Sequence, residues 1–405
     1  MYLKVMCGGV LGAETYRRYR PPEVTGRREC SVRLVGAIGH PPRPQRGDRT
    51  LSNAANSFQR CLNDPDAPCV IVAEIGVNHD GDPAKARRLV DAAIAAGADA
   101  VKFQVFTPEE LVAPGAGTAD YQRSRGAGDD QGAMLRRLSL SQDDLAALRD
   151  HTLAGGGVFL ASAFSPRDVE LVAALGVPAI KLGSGELTDP FVLDAARRTG
   201  LPLILSAGMA GTADIDWAVE RLAGVPLILL HCTSAYPAPE DELHLAAIPP
   251  LRERYGVPVG YSDHSRGCEA AVLAAALGAS LIEKHFTLDR GAAGPDHDAS
   301  CEPAELAELI RRVRRAERLL GGGVKRLRAV EGDVRAAARK GLHAARDLPA
   351  GHRLAPGDLC ARRPRVGLDP RNIDDLYGRE LARELRAAEP LTRDRLVEGT
   401  EDLKW

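Results

Sequence analysis

Leu281-Ile282-Glu283-Lys284-His285-Phe286-Thr287 is the stretch whose reading decides the fold. It reads as a short buried strand carrying three ionisable groups. Side chains alternate along a strand, so Glu283 and His285 share a face. Burying even a neutral polar group without a partner costs roughly 2–7 kcal/mol. The strand is therefore expected to end in a polar cavity. Val259-Gly260-Tyr261-Ser262-Asp263-His264-Ser265 repeats the pattern, an apolar run meeting a polar end with a histidine. Two histidines at the ends of neighbouring strands suit a divalent metal. They also suit two hydrogen-bonded core imidazoles, and spacing alone does not choose.

Working outward, the same kind of strand recurs at 69–76, 100–106, 158–164, 178–183, 202–207 and 226–232, before 257–262 and 280–286. Helical runs begin near Pro83, Ser141, Pro166, Asp189, Thr212, Asp241, Gly267 and Glu302, several of them at capping or first-turn residue types. Eight such units predict an α/β fold, a closed (β/α)8 TIM barrel over 69–321. A doubly wound sheet uses the same units, but eight in a row without a reversal favour closure. The connection 107–140 is too long for a simple loop. It lies on the strand-to-helix side, where barrel active sites are built.

The chain has 405 residues, more than the barrel needs. Residues 1–68 are rich in Arg and Pro and show no sustained period, which predicts a disordered or loosely attached extension. Gly321-Gly322-Gly323 breaks the helical pattern, 322–339 reads as a charged linker, and 340–400 as a small unit full of turns. Net charge is −2, with 11 basic against 6 acidic groups over 1–68 and 28 against 37 over 69–338. The acidic middle and the low aromatic content of 4% argue against a nucleic-acid surface. The eight cysteines show no C-x-x-C spacing and read as reduced thiols. No apolar run approaches the ~18 residues of a membrane span. A cytoplasmic protein is expected.

The strand ends carry the chemistry. They bring Glu74, Lys102 with Gln104, Ser162, Lys181 with Ser184 and Glu186, Ser206, Ser234 with Tyr236, Ser262 and His264, and His285 toward one mouth. Lysines, hydroxyls and Gly-flanked amides are what a phosphate dianion needs. Two histidines and a carboxylate suit a metal that polarises a carbonyl. Glu74 reads either as a general base or as a core carboxylate paired to a lysine. Together these favour a phosphorylated substrate and a carbonyl partner.

The segments Ala73–Asp80, Lys102–Gln104, Lys181–Glu186, Leu205–Met209, His231–Pro237, Gly260–His264, Glu283–Thr287 and Gly294–Ser300 resemble the sialic acid synthase family (NeuB type). The tail, through Arg339-Lys340-Gly341-Leu342, Leu348-Pro349-Ala350-Gly351 and Arg362-Arg363-Pro364, resembles that family's small, mostly β SAF (antifreeze-like) domain. The resemblance implies an enzyme that condenses phosphoenolpyruvate with an N-acylated amino sugar. N-acetylmannosamine and a 2,4-diacetamido-6-deoxy sugar are the acceptors in view. It implies Glu74 as the catalytic carboxylate, and Lys102, Ser162, Lys181, Ser184, Ser206, Ser234 and Ser262 on phosphoenolpyruvate. It implies Gln104, Glu186, Tyr236, Asp296 and Arg363 on the sugar. It implies a divalent metal on His264 and His285, usually Mn²⁺, with Mg²⁺ or Co²⁺ as alternatives. It also implies a domain-swapped homodimer in which Arg363 reaches the partner's barrel. Ser234 stands where an asparagine is common, and Ala161-Ser162-Ala163 replaces a more usual Ser-Thr-Pro. Two rivals stay open: a Schiff-base aldolase using Lys102 or Lys181, and a non-catalytic carbohydrate-binding SAF protein.

Overall fold

The computed structural model describes residues 58–117 and 130–397, apart from 59 and 65. Eight parallel strands close into a barrel. They are β1 (Val70–Gly76), β2 (Ala100–Val105), β3 (Val158–Ala163), β4 (Ile180–Leu182), β5 (Leu203–Ser206), β6 (Leu227–Cys232), β7 (Val259–Asp263) and β8 (Leu281–His285). β1 pairs with β2 on one side and β8 on the other, so Val72 lies between Ala100 and Glu283. Closure leaves the barrel sheet no free edge.

Each strand leads to an outer helix. Local chemistry sets the starts: Asp82 accepts from the amide of Ala84, Ser141 from Asp144, Ser165 from Asp168 and Asp189 from Phe191. Pro83, Pro166, Pro190 and Pro303 open the helices Pro83–Ala96, Pro166–Ala174, Pro190–Thr199 and Pro303–Leu320, where a missing N–H does no harm. The helix expected near Asp241 starts later. Glu240–Glu242 and Leu245–Ala247 form single 3-10 turns, and the helix runs Ile248–Tyr255. His244 stands between the turns at φ 46, a left-handed conformation that a helix cannot carry.

The barrel has two apolar shells. One lies between the outer strand faces and the helices, with Ile71, Phe103, Leu148, Val172 and Leu309 among its members. The other fills the lower interior with Val70, Val72, Ala100, Val158, Leu160, Ile204, Ile228, Leu230 and Leu281. Gly260 on β7 gives the interior its room. A Cβ there would sit 2.6 Å from both Leu230 Cδ2 and the carbonyl oxygen of Leu281.

Phe58 and Cys61 complete this interior core. They are 1% and 3% exposed, and Leu62 packs against the same cluster. This corrects the expectation of a loose segment reaching residue 68. Residues 58, 61 and 62 stand at helical i, i+3, i+4 spacing, one turn of amphipathic helix that seals the barrel floor. Residues 1–57 lie outside the described residues.

The long connection after β2 contains helices Pro108–Leu111 and Gln131–Leu138. Phe106, Met134, Leu135 and Leu138 pack there on Val77, which follows β1. Beyond the last barrel helix the chain is almost wholly exposed from 321 to 340, with one short helix, Gly332–Ala338, inside the expected linker. A small unit follows. Its antiparallel strands β9 (Gly341–Ala344) and β10 (Leu359–Arg362) accompany a core of leucines that includes Leu342, Leu348, Leu368 and Leu385. Buried Asp358 accepts from Arg346, His352 and the amide of Ala355, which ties the turns of this unit together.

Phe58→Ala should lower the unfolding free energy by about 3 kcal/mol, the usual loss for a buried phenylalanine. Urea unfolding monitored by circular dichroism would measure it. An unchanged midpoint would mean that the floor is not sealed by this side chain.

Candidate active site at the barrel mouth

Above the apolar floor the inward positions turn polar. Strand register puts Glu74 opposite Lys102 on one side and His285 on the other. It also puts Gln104 opposite Ser162, Ser162 opposite Lys181, and Ser262 opposite Glu283. Lys102 Nζ lies 2.7 Å from Glu74 Oε2 and 3.6 Å from Glu283 Oε2, and donates to Ser162 Oγ at 2.7 Å. Lys181 Nζ donates to Ser206 Oγ at 2.7 Å and lies 3.9 Å from Glu283 Oε1. Ser262 donates to Glu283 Oε1 at 3.0 Å. Gln104 Nε2 donates to Glu74 Oε1 at 3.1 Å.

Burial and charge push these groups apart. Burial raises the pKa of Glu74, with Glu283 adding to the rise and Lys102 opposing it. Burial acts on Glu283 in the same direction, but Lys102 and Lys181 together overcome it and hold that carboxyl low. Two carboxyls of one cluster thus divide into a fixed anion and a group suited to exchanging a proton. Burial lowers the pKa of Lys181. Burial works the same way on Lys102, yet Glu283 and Glu74 leave its pKa raised.

A second group of donors lies beside the lysines. Ser184 Oγ accepts from the amide of Gly208 at 3.0 Å and lies 3.3 Å from Cys232 Sγ. A Cβ on Gly208 would collide with Ser234 Oγ and come within 2.7 Å of Cys232 Sγ and 2.8 Å of Ser184 Oγ. A bare backbone amide thus sits among hydroxyls, a surface suited to an anion's oxygens. Over Gly183 the carboxyl of Glu186 approaches so closely that a side chain there would strike it, and burial raises the pKa of that carboxyl.

The histidines form the third group. The rings of His264 and His285 are 5.6 Å apart, and Tyr236 stands 4.2 Å from His264 and 5.8 Å from His285, centre to centre. His264 Nδ1 lies 2.8 Å from the carbonyl oxygen of Thr233, which places its proton there and leaves Nε2 a lone pair. His285 Nδ1 is buried without a hydrogen bond, 3.9 Å from Asp296 Oδ2. Burial holds both imidazoles neutral, His285 down to about 3. Two neutral imidazoles, one of them oriented by a backbone carbonyl, suit ligands to a divalent cation. Among the described residues no group of three or more His, Cys, Asp or Glu side chains is placed to hold a metal ion. A cation on the two histidines would keep positions open for other ligands. Arg363 is exposed on the small unit and makes no hydrogen bond or ion pair to a barrel residue among those described.

The NeuB family model matches residues 89–325, and the SAF domain model matches 339–397. The chain belongs to the NeuB family. It is 38% identical to an N,N'-diacetyllegionaminic acid synthase of Legionella pneumophila, over 80% of this chain and 93% of that one. It is 35% identical to an N-acetylneuraminate-9-phosphate synthase of Mus musculus, over 78% of this chain and 89% of that one. A crystal structure of an N-acetylneuraminic acid (sialic acid) synthetase from Leptospira borgpetersenii superposes with a TM-score of 0.60 at 34% identity, covering 66% of this chain and 90% of that one.

Within this NeuB-family barrel, sequence reading left Glu283 without a role, although its face was evident. The missing information was the distance to both lysines, which only barrel closure supplies. Asn78 differs in another way. Alternation along β1 aligns it with Glu74, but the register shifts between Glu74 and Gly76, where Gly76 takes φ 55. Asn78 instead donates to the carbonyl oxygen of Phe286 and to Ser300 Oγ.

The neutral histidines predict a pH dependence of stability. The unfolded chain protonates His285 near 6.5 and the folded one near 3. Between these values the unfolded state binds more protons, so stability is lost as pH falls through the window. His285→Gln should reduce the drop in urea midpoint between about pH 7 and about pH 5. A drop as large as in the wild type would remove His285 as its source.

Proposed function

We propose that this chain condenses phosphoenolpyruvate with an N-acylated amino sugar and water to give a nonulosonic (sialic-type) acid, releasing phosphate by C–O cleavage. The observation that carries this reading is the arrangement of Lys102 and Lys181, each hydrogen-bonded to a serine, within one barrel mouth that also holds two neutral histidines. The relatives named above are synthases of such acids, which supports it.

On this reading Lys102 and Lys181 hold the phosphate, with Ser162, Ser184, Ser206, Ser234 and Ser262 completing the contacts to phosphoenolpyruvate. Gln104, Glu186, Tyr236 and Asp296 orient the sugar. His264 and His285 hold a divalent cation, Mn²⁺ by family resemblance. When bound, the cation supplies Lewis-acid polarisation of the sugar's aldehyde oxygen. Carbon 3 of phosphoenolpyruvate forms the new bond to the aldehyde carbon, whose oxygen takes a proton from solvent; Glu74 later returns one to solvent. Positive charge develops at carbon 2, where the carboxylate of Glu74 offsets it. Water adds to carbon 2 and gives its proton to Glu74, which its raised pKa suits. The bond from carbon 2 to the phosphate-bearing oxygen then breaks, its electron pair leaves with phosphate, the hydroxyl left by water passes its proton to the departing phosphate, and carbon 2 becomes the ketone. Glu283, already ionised, keeps both lysines charged and in place.

Phosphoenolpyruvate labelled with ¹⁸O in the bridging position tests the cleavage. The label should leave with phosphate, and label retained in the sugar acid would exclude the mechanism. Turnover should stop after exhaustive chelation and return with Mn²⁺. Glu74→Gln should lower kcat by about 10²- to 10⁴-fold with little change in either KM. The lowered pKa of Lys181 favours a second reading, a Schiff-base aldolase. Borohydride with a keto acid would trap a Lys181 adduct in that case, and none is expected.

The exposed Arg363 fits action in a partner's site within a homodimer. Mixing inactive Glu74→Gln and Arg363→Ala variants should then restore part of the activity, through barrels with intact Glu74 covered by intact Arg363. Exchanged dimers that stay inactive would exclude it.

A further inference from the structure

Asn78 is buried at 1% exposure just above the β1 strand, and both hydrogen bonds of its side chain run to the stretch after β8. Its Nδ2 donates to the carbonyl oxygen of Phe286 at 2.9 Å and to Ser300 Oγ at 2.8 Å. Ser300 Oγ passes its own hydrogen to the carbonyl oxygen of Asp296 at 2.7 Å. Phe286 follows His285, and the amide of Cys301 donates to the carbonyl oxygen of His285 at 2.8 Å. One amide therefore clasps both the strand end carrying His285 and the segment carrying Asp296.

The direction of this amide is fixed. Turning it over would set its oxygen against the carbonyl oxygen of Phe286 and against a hydroxyl whose hydrogen is already used. In the direction it takes, Oδ1 is buried with no hydrogen bond, and so is His285 Nδ1. A purely structural clasp would use both ends of the amide. Asn78 Oδ1 and His285 Nδ1 thus have no hydrogen-bond partner among the described residues, and the Asp296 carboxylate lies 3.9 Å from His285 Nδ1.

We propose that Asn78, which ties the end of β8 to Ser300, is a positioning residue that holds His285 in place for a divalent cation shared with His264. This rests on the cation reading above. Groups that orient a ligand without touching the metal ordinarily govern its affinity by about ten-fold or more. Asn78 and Ser300 hold this place, since neither reaches the lysine cluster.

The test is Mn²⁺ titration followed by electron paramagnetic resonance of the free ion. Wild type, Asn78→Ala and Ser300→Ala would be compared, with phosphoenolpyruvate affinity and thermal midpoint measured alongside on metal-free protein. Each variant should raise the Mn²⁺ Kd about ten-fold, with the phosphoenolpyruvate Kd close to wild type. Ser300→Ala removes a single oxygen, so it serves if Asn78→Ala does not fold. An unchanged Mn²⁺ Kd in a folded variant overturns the proposal. So does a parallel loss of Mn²⁺ affinity, phosphoenolpyruvate affinity and midpoint, which marks a structural clasp. A wild type that binds no Mn²⁺ fails the cation reading itself, before any variant is compared.

Discussion

Lys102 between Glu74 and Glu283 is the interaction on which the mouth depends. Three charges share a space almost closed to water, at 3%, 1% and 5% exposure. Any one of them alone there would be expelled or neutralised. Together they tolerate burial, because each carboxylate lies beside an ammonium and the serines take up further hydrogen bonds. Removing a single member would leave an unpaired charge, so the cluster constrains the identity of every neighbour. It also fixes where β1, β2 and β8 must stand, since those strands carry its three members.

The apolar floor and the charged mouth are complementary demands on the same strands. Below, Val72, Leu160, Ile204 and Leu230 fill the barrel with no polar atoms to satisfy. One step higher on the same inward face stand Glu74, Ser162, Ser206 and Cys232. Each strand therefore changes character along its length. Phe58 and Cys61 close the end where water would otherwise enter under the apolar layer. Stability is drawn from the floor and the outer shell, while the mouth holds groups chosen for their charge.

Sequence alone disclosed most of this, for a definite reason. Barrel strands are short and apolar on both faces, and the polar residue that interrupts each inward face marks the mouth. That is why Glu74, Lys102, Lys181, His264 and His285 were legible. What escaped notice depended on contacts between distant segments or on backbone irregularity. The Phe58 turn is too short to show a period, so only its burial reveals it. His244 at positive φ breaks a run that otherwise reads as helical. The shift in β1 register rotates Asn78 away from the face that alternation assigns it. Glu283 was visible as an inward carboxylate, but its partnership with two lysines from β2 and β4 is a property of the closed barrel.

The charge balance of the cluster explains why its two carboxyls must differ. Glu283, which the two lysines hold low, is the fixed anion of the cluster, while burial raises the proton affinity of Glu74. An arriving phosphate raises the pKa of Glu74 further by like-charge repulsion, while it favours the charged form of Lys181, which burial otherwise disfavours. A bound phosphate therefore makes the Glu74 carboxylate a stronger base, and release of the phosphate lowers that proton affinity again. On the proposed reading, the group that receives the proton of the attacking water is thus the one whose proton affinity the bound phosphate controls.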